Sequence, residues 1–486
     1  MIKQSDEMRY RRCEQARRCA HGFVRGPLGG QDFANFLPLV VVISLLIVAC
    51  GRPDDPEPVP EAATAGVATT AITTDDATIA TGSGDAVMPA PVRAGAEVAA
   101  ADGFQRFRGQ RLAVILNVAS VVDGRSLLDA LAAAEGVDVV AAFAPEHGVR
   151  GDAPAGAQVA DTVDPSTGVT VHSLYGDRRA PDPDQLAGLD ALMFDLQDVG
   201  ARPYTYVSTM GLAMQAAAQA GVRFVVLDRP NPLGGTGVAG GGVEGWVLDP
   251  SFASFVGRYP VPLVHGLTAG ELARMIQGEG WLDGLDGLQL DVVAMTGWHR
   301  NQRWADTGRS WIPPSPGLPS AATAAVYPGT VLFEATSASV GRGTDEPFSL
   351  IGAPWIDGSA AAATLNARGL PGVRFEAATF TPAPTPAVPD PPLAGRSLRG
   401  VRVVVTDPAA VRPVALGVHL LEVVGAQARA AGETGFVTRP ATLDALAGTD
   451  RLRLALAAGA PATSIVAAWT DEDAAFDQLR QPYLLY

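Results

Sequence analysis

Cysteine is nearly absent from this 486-residue chain, which carries Cys13, Cys19 and Cys50 and no others. Processing at Cys50, argued below, would leave no free thiol. That excludes a disulfide framework, a thiolate metal site and a cysteine nucleophile. Positive charge is also scarce: 36 Lys and Arg face 51 Asp and Glu, for a formal net charge of −15. Residues 1–49 contribute +3 of this, so the remainder carries about −18. Such a surface disfavours broad nucleic-acid binding. The sequence has no Gly-x-x-x-x-Gly-Lys-Ser/Thr phosphate loop. Its glycine clusters, Gly234-Gly235-Thr236-Gly237 and Gly240-Gly241-Gly242, do not follow a first strand as a dinucleotide fingerprint does. They read as turns, and no nucleotide cofactor is expected. No repeat at solenoid spacing is evident.

The amino end carries a long targeting pattern. Arg9, Arg11, Arg12, Arg17, Arg18 and Arg25 precede an apolar run from Phe36 to Ala49, which closes on Ala49-Cys50-Gly51. The run is shorter than a full bilayer crossing. A small residue before cysteine fits lipoprotein processing, and two acyl chains on Cys50 would hold the protein stably at a membrane. An uncleaved anchor would give the same topology. The expectation is therefore an envelope protein, membrane-anchored through Cys50 and facing the periplasm or the cell exterior.

Four segments follow from composition. Residues 1–50 are the signal region. Residues 51–102, rich in Ala, Thr, Pro, Gly and acidic side chains, read as a disordered tether, because they bury too little to offset the entropy of ordering. Residues 103–300 and 301–486 are expected to form two domains. In the first, apolar strand candidates at 111–117, 137–143, 191–195 and 223–228 alternate with helical stretches at 126–135 and 209–220. This pattern predicts a parallel sheet covered on both faces, an α/β fold of Rossmann-like type. Thr268 and Glu271 have the spacing of a helix capping box. A Pro-rich stretch, Thr381 to Pro392, reads as a long loop.

Polar residues gather where these strands end, the place where open α/β sheets bind ligands. Glu146, Asp195, Asp198 and Asp228 supply four carboxyl groups from three strand ends, with His147, Arg150 and Arg229 beside them. Glu146 is the leading catalytic candidate, since a shielded carboxyl can donate a proton to a leaving oxygen. A strand-end salt bridge is the structural alternative. Asp195 and Asp198 are available to orient sugar hydroxyls, hold Arg202 or bind a divalent cation. His265 either faces the cleft or satisfies a buried partner. Trp298, Trp304 and Trp311 suit the apolar face of a carbohydrate or ordinary core packing. Arg342, in Gly341-Arg342-Gly343-Thr344, either clamps a carboxylate or serves a turn.

Five longer motifs resemble the exo-β-N-acetylmuramidase family: Phe143-Ala-Pro-Glu-His-Gly-Val-Arg-Gly151, Ser173-Leu-Tyr-Gly176, Phe194-Asp-Leu-Gln-Asp-Val-Gly200 with Tyr204-Thr-Tyr-Val-Ser-Thr209, Leu227-Asp-Arg-Pro-Asn-Pro-Leu-Gly-Gly235, and Gly341-Arg-Gly-Thr344. The terminal Tyr483-Leu-Leu-Tyr486 is also similar to the family's ending, so the resemblance runs from about Arg108 to Tyr486. It implies a Rossmann-like domain joined to a smaller α/β domain, a cleft between them, and removal of terminal β-1,4-linked N-acetylmuramic acid from peptidoglycan fragments without a cofactor. The catalytic glutamate of the family falls on Glu146. His147, Asp195 and Asp198 are then expected to assist catalysis. Arg150, Tyr204, Asp228, Arg229, Asn231, His265 and Arg342 are expected to bind substrate. The chain departs from the family pattern at Gly317, where asparagine is common, and at Val340, where glutamate is common. Ala335 and Ser337 replace residues of a Gly-Thr-Asn pattern. These departures make an altered aglycone, altered lactyl-group recognition or weakened activity the expected consequence. A tethered, non-catalytic muropeptide- or glycan-binding protein is the alternative.

Overall fold

The apolar runs do become strands. A computed structural model describes residues 91–145, 148–150, 161–174, 176, 178–236 and 242–486. Cys50, Glu146 and His147 lie outside the described residues. In chain order the strands are β1 (Arg111–Leu116), β2 (Val121–Val122), β3 (Arg125–Ser126), β4 (Asp138–Ala144), β5 (Thr162–Val163), β6 (Thr170–Ser173), β7 (Ala191–Asp195), β8 (Arg223–Leu227), β9 (Leu290–Val293), β10 (Leu350–Ala353), β11 (Val373–Phe380) and β12 (Leu398–Val405).

Seven of them form one sheet in the order β5-β6-β4-β1-β7-β8-β9. Every pairing in it is parallel except β5 with β6. Alternation along the strands divides their side chains between two cores. Ile115, Phe143, Phe194 and Phe224 fill one face, and Leu112, Val114, Ala142 and Met193 the other. A sheet buried on both sides explains why its strands read as nearly unbroken apolar runs. β1 has β4 on one side and β7 on the other. The chain thus changes winding direction at β1, and the carboxyl ends of β1 and β7 flank the crevice where such sheets take ligands.

A second, antiparallel sheet has the order β10-β12-β11. Helices Gly358–Ala367 and Pro413–Ala430 accompany it. The fold is therefore mixed α/β with a large, mostly parallel sheet. The capping box at the start of helix Ala269–Gly278 is formed: Glu271 N donates to Thr268 Oγ1 at 3.2 Å and Thr268 N to Glu271 Oε2 at 2.9 Å. The Pro-rich stretch joins β11 to β12 without regular structure. No helix among the described residues is long and apolar enough to cross a membrane.

The tether expectation needs correction at its end. From Val92 onward the chain packs against the body, with Val92 and Ala94 buried and a helix at Gly95–Ala100. Gly95 N donates to Asp228 O at 2.7 Å. A Cβ on Gly95 would lie 2.2 Å from Val293 O and 2.5 Å from Asp228 N, so glycine alone permits this approach. Glu97 pairs with Arg309. The small residues that suggested disorder are here the ones that allow close packing.

Candidate functional site

At the carboxyl ends of β7 and β8, most polar groups are already satisfied by one another. Asp195 closes β7, and its two carboxylate oxygens accept from Arg229 Nε at 2.6 Å and Nη2 at 2.8 Å. Both side chains are buried, so this is a bidentate pair shielded from solvent. Asp228, fully buried at the end of β8, accepts from Gly270 N and Arg229 N on Oδ1, and from Thr268 Oγ1 and the Tyr486 hydroxyl on Oδ2. Asn231 shapes its own turn, accepting from Leu233 N and donating to Leu267 O. Asp195, expected to assist catalysis, and Asp228, Arg229 and Asn231, expected to bind substrate, are thus engaged by one another and by neighbouring loops. Their polar atoms lock strand ends to the neighbouring loops.

Arg150, expected to bind substrate, is likewise paired within the protein. Its guanidinium bonds Asp129 and Asp164, two contacts to each. Those hydrogen bonds, Asp129 foremost, raise its pKa further above the ordinary arginine value. It ties the helix Leu127–Ala132 to the turn at Asp164, immediately after the segment that holds Glu146 and His147 in sequence.

Asp198 and His265 behave differently. Asp198 Oδ2 accepts from Gly200 N at 2.7 Å, while Oδ1 has no hydrogen-bond partner among the described residues. Burial pushes its carboxyl up to about 7. His265 Nδ1 accepts from Leu267 N, which places the ring proton on Nε2, 3.7 Å from Asp198 Oδ2. Burial holds the imidazole down at about 3, so it stays neutral. The pair is a buried, incompletely bonded polar cluster whose carboxyl titrates near neutrality, a pattern that marks functional positions.

A cavity of about 230 Å³ gathers a second group. Tyr204, Tyr206, the turn Ser315–Leu318, Tyr327, Glu334 and Arg342 line it, with Phe348, Ala387 and Val388. The Tyr204 ring meets those of Tyr206 and Tyr327 edge-on, at 4.8 Å and 6.0 Å. Arg342 Nε donates to Glu334 Oε1 at 2.6 Å, and its guanidinium lies 4.9 Å from the centre of the Phe348 ring. Asn117, at the end of β1, binds the Tyr206 hydroxyl and Pro314 O, each at 3.0 Å. This connects the switch-point strand to the cavity rim. Trp311 Nε1 donates to Leu318 O and steadies the same turn. A side chain on Gly317 would start 3.8 Å from Arg342 Nη1, so glycine leaves that nitrogen uncovered. Val340 is buried in the core.

Tyr204 and Arg342 therefore share one cavity, from positions 138 residues apart. Glu334, Tyr327, Ser315 and Asn117 were not singled out in the sequence. Glu334 sits eight residues before Arg342, and a carboxylate near a loop arginine was the only available signal. Among the described residues, no group of three His, Cys, Asp or Glu side chains could hold a metal ion.

Two family models match the chain. "Exo-beta-N-acetylmuramidase NamZ, N-terminal" covers residues 112–322, and "Exo-beta-N-acetylmuramidase NamZ, C-terminal" covers residues 325–486. The peptidoglycan beta-N-acetylmuramidase NamZ of Bacillus subtilis (strain 168) is 40% identical over 396 residues, spanning 81% of this chain and 91% of that protein. Two DUF1343 family proteins of Bacteroides fragilis NCTC 9343 have similar crystal structures. One has a TM-score of 0.73 at 34% identity and the other 0.65 at 31%, each match covering 82% of this chain and 99% of the other.

Proposed function

The chain belongs to the exo-β-N-acetylmuramidase family, and from that membership we propose that it is a glycoside hydrolase that releases terminal β-1,4-linked N-acetylmuramic acid from peptidoglycan fragments. The observation that carries this reading is the match of both family models across residues 112–486, with the Phe143–Gly151 motif complete. Glu146 protonates the departing glycosidic oxygen as the bond to the muramic acid breaks through an oxocarbenium-like state. His147 stands beside it in sequence. Asp198, kept near its titration point by burial, supports charge changes in the site.

Arg342 takes the lactyl carboxylate that distinguishes muramic acid from glucosamine. Its Nε is held by Glu334, which fixes the guanidinium plane and leaves the terminal nitrogens for a planar anion. The tyrosines of the cavity offer apolar ring faces to the sugar.

The polarity of cleavage provides the test. Purified full chain should liberate N-acetylmuramic acid from a disaccharide with muramic acid at the non-reducing end. It should leave intact the isomer that carries N-acetylglucosamine there. Cleavage of the second substrate, or binding without turnover of the first, would overturn the reading.

For placement we propose acylation at Cys50, which would hold the enzyme on the envelope within reach of the wall. The Ala49-Cys50-Gly51 sequence after an apolar run supports it.

A further inference from the structure

A second, roomier cavity lies away from the strand ends, in the carboxyl-terminal helices. It measures about 630 Å³, against about 230 Å³ for the Tyr204 and Arg342 cavity. Helix Pro413–Ala430 forms one wall, helix Arg451–Ala457 another, and the turn from Gly432 to Val437 closes it. The lining is mainly apolar, with Leu421, Phe436 and Leu456 prominent. That volume, with an apolar lining and a few polar groups, has the character of a small-ligand site.

Four charged side chains reach the cavity, and they fall into two kinds. Glu422 is paired with Arg368, and Arg453 with Asp444. Arg429 and Glu433 have no ion pair and no side-chain hydrogen bond among the described residues. One cationic and one anionic group are therefore left open on an apolar wall.

Arg429 is exposed at the cavity wall, and its guanidinium lies back along its helix toward Gly425. A Cβ placed on Gly425 would lie 3.2 Å from the Phe436 ring and 3.8 Å from Arg429 Nη1. The missing side chain at Gly425 thus lets the Phe436 ring come against the helix, with the guanidinium beside it.

We propose that this cavity binds a short zwitterionic peptide, its carboxylate on Arg429, its ammonium on Glu433 and its aliphatic part on Phe436 and Leu456. The source that fits a peptidoglycan hydrolase is a stem peptide freed from the wall, and this part of the inference rests on the proposed function. A cation and an anion beside an apolar lining match such a molecule in both sign and character. Glycan strands lacking peptide offer no ammonium for Glu433.

Calorimetric titration of the full chain in detergent tests the site without any glycan present. The probes are an unblocked stem tripeptide, the same peptide with its C-terminal carboxylate amidated, and unblocked tri-alanine. The stem tripeptide should bind saturably, and amidation should weaken it about tenfold. In Arg429→Ala the two forms should bind equally, a result that general loosening of the fold does not produce. Disaccharide cleavage by that variant should match the unmodified protein, which separates this inference from the hydrolase reading. No saturable binding up to millimolar peptide, or an amidation penalty that persists in Arg429→Ala, would overturn the site. Tri-alanine binding as tightly as the stem peptide would overturn the assigned source.

Discussion

Single residues divide into those committed to the fold and those left open for chemistry, and substitution should separate them. Asp195 and Arg229 form a buried, bidentate pair, so Asp195→Asn leaves a buried cation half-paired. Its expected cost is about 3–5 kcal/mol in urea unfolding. Arg342 has a partly exposed side chain, so Arg342→Ala should lose less than about 1 kcal/mol of stability. It should nevertheless raise KM for muramic-acid substrates, and the contrast between the two variants checks both assignments. Equal stability losses would contradict this division.

Asp473 supplies a pH signature of its own. It is wholly buried, and burial followed by the nearby Glu244 carboxylate pushes its pKa up to about 8 from an ordinary 3.8. The folded protein therefore holds a proton there that the unfolded chain releases above pH 3.8. This contribution to stability is complete in acid and is lost as pH rises toward 8. Asp473→Asn cannot ionise, so its melting temperature should gain on the parent protein steadily across that window. A constant difference would show that the carboxyl is not protonated in the fold. No local pattern marks this group, because its burial depends on packing of its helix, Thr470–Arg480, against the distant Glu244.

Among the elements, legibility followed side-chain size. Large apolar runs at 111–117, 137–143, 191–195 and 223–228 became β1, β4, β7 and β8 to within a residue, because a doubly covered parallel sheet buries both faces of each strand. Small residues misled. The stretch 91–102 resembles tether by composition, yet Gly95 and Ala96 fit where larger side chains would collide. Asp195 and Asp228 close adjacent strands as their spacing implied, but whether such a carboxylate faces a ligand or another residue depends on three-dimensional pairing.

Glycine also decides how two helices meet beside the cavity. A Cβ on Gly417 would lie 2.4 Å from Gly329 O, and one on Gly329 would lie 1.9 Å from Pro413 O. Helices Ala321–Thr330 and Pro413–Ala430 therefore touch backbone to backbone, and the first carries Tyr327 into the cavity wall. Gly417→Val should force them apart at a cost of about 1–3 kcal/mol. Because Tyr327 moves with its helix, substrate affinity should fall alongside the unfolding midpoint. Loss of stability with unchanged KM would show that the cavity tolerates the shift.

At the scale of the whole molecule, the proposed acylation at Cys50 is separable from catalysis. Cys50→Ala should shift the protein from the membrane fraction to the soluble fraction while leaving hydrolysis of soluble disaccharide intact, as fractionation followed by assay would reveal. Retention in the membrane would point to the apolar run itself as the anchor.

On the proposed mechanism, Glu146 drives release of terminal N-acetylmuramic acid. The direct measurement follows free N-acetylmuramic acid from its β-1,4 disaccharide with N-acetylglucosamine, comparing the full chain with Glu146→Gln. The parent protein should release it steadily, and the variant should lose at least about a hundredfold in kcat with disaccharide still bound. Undiminished release by Glu146→Gln would contradict it.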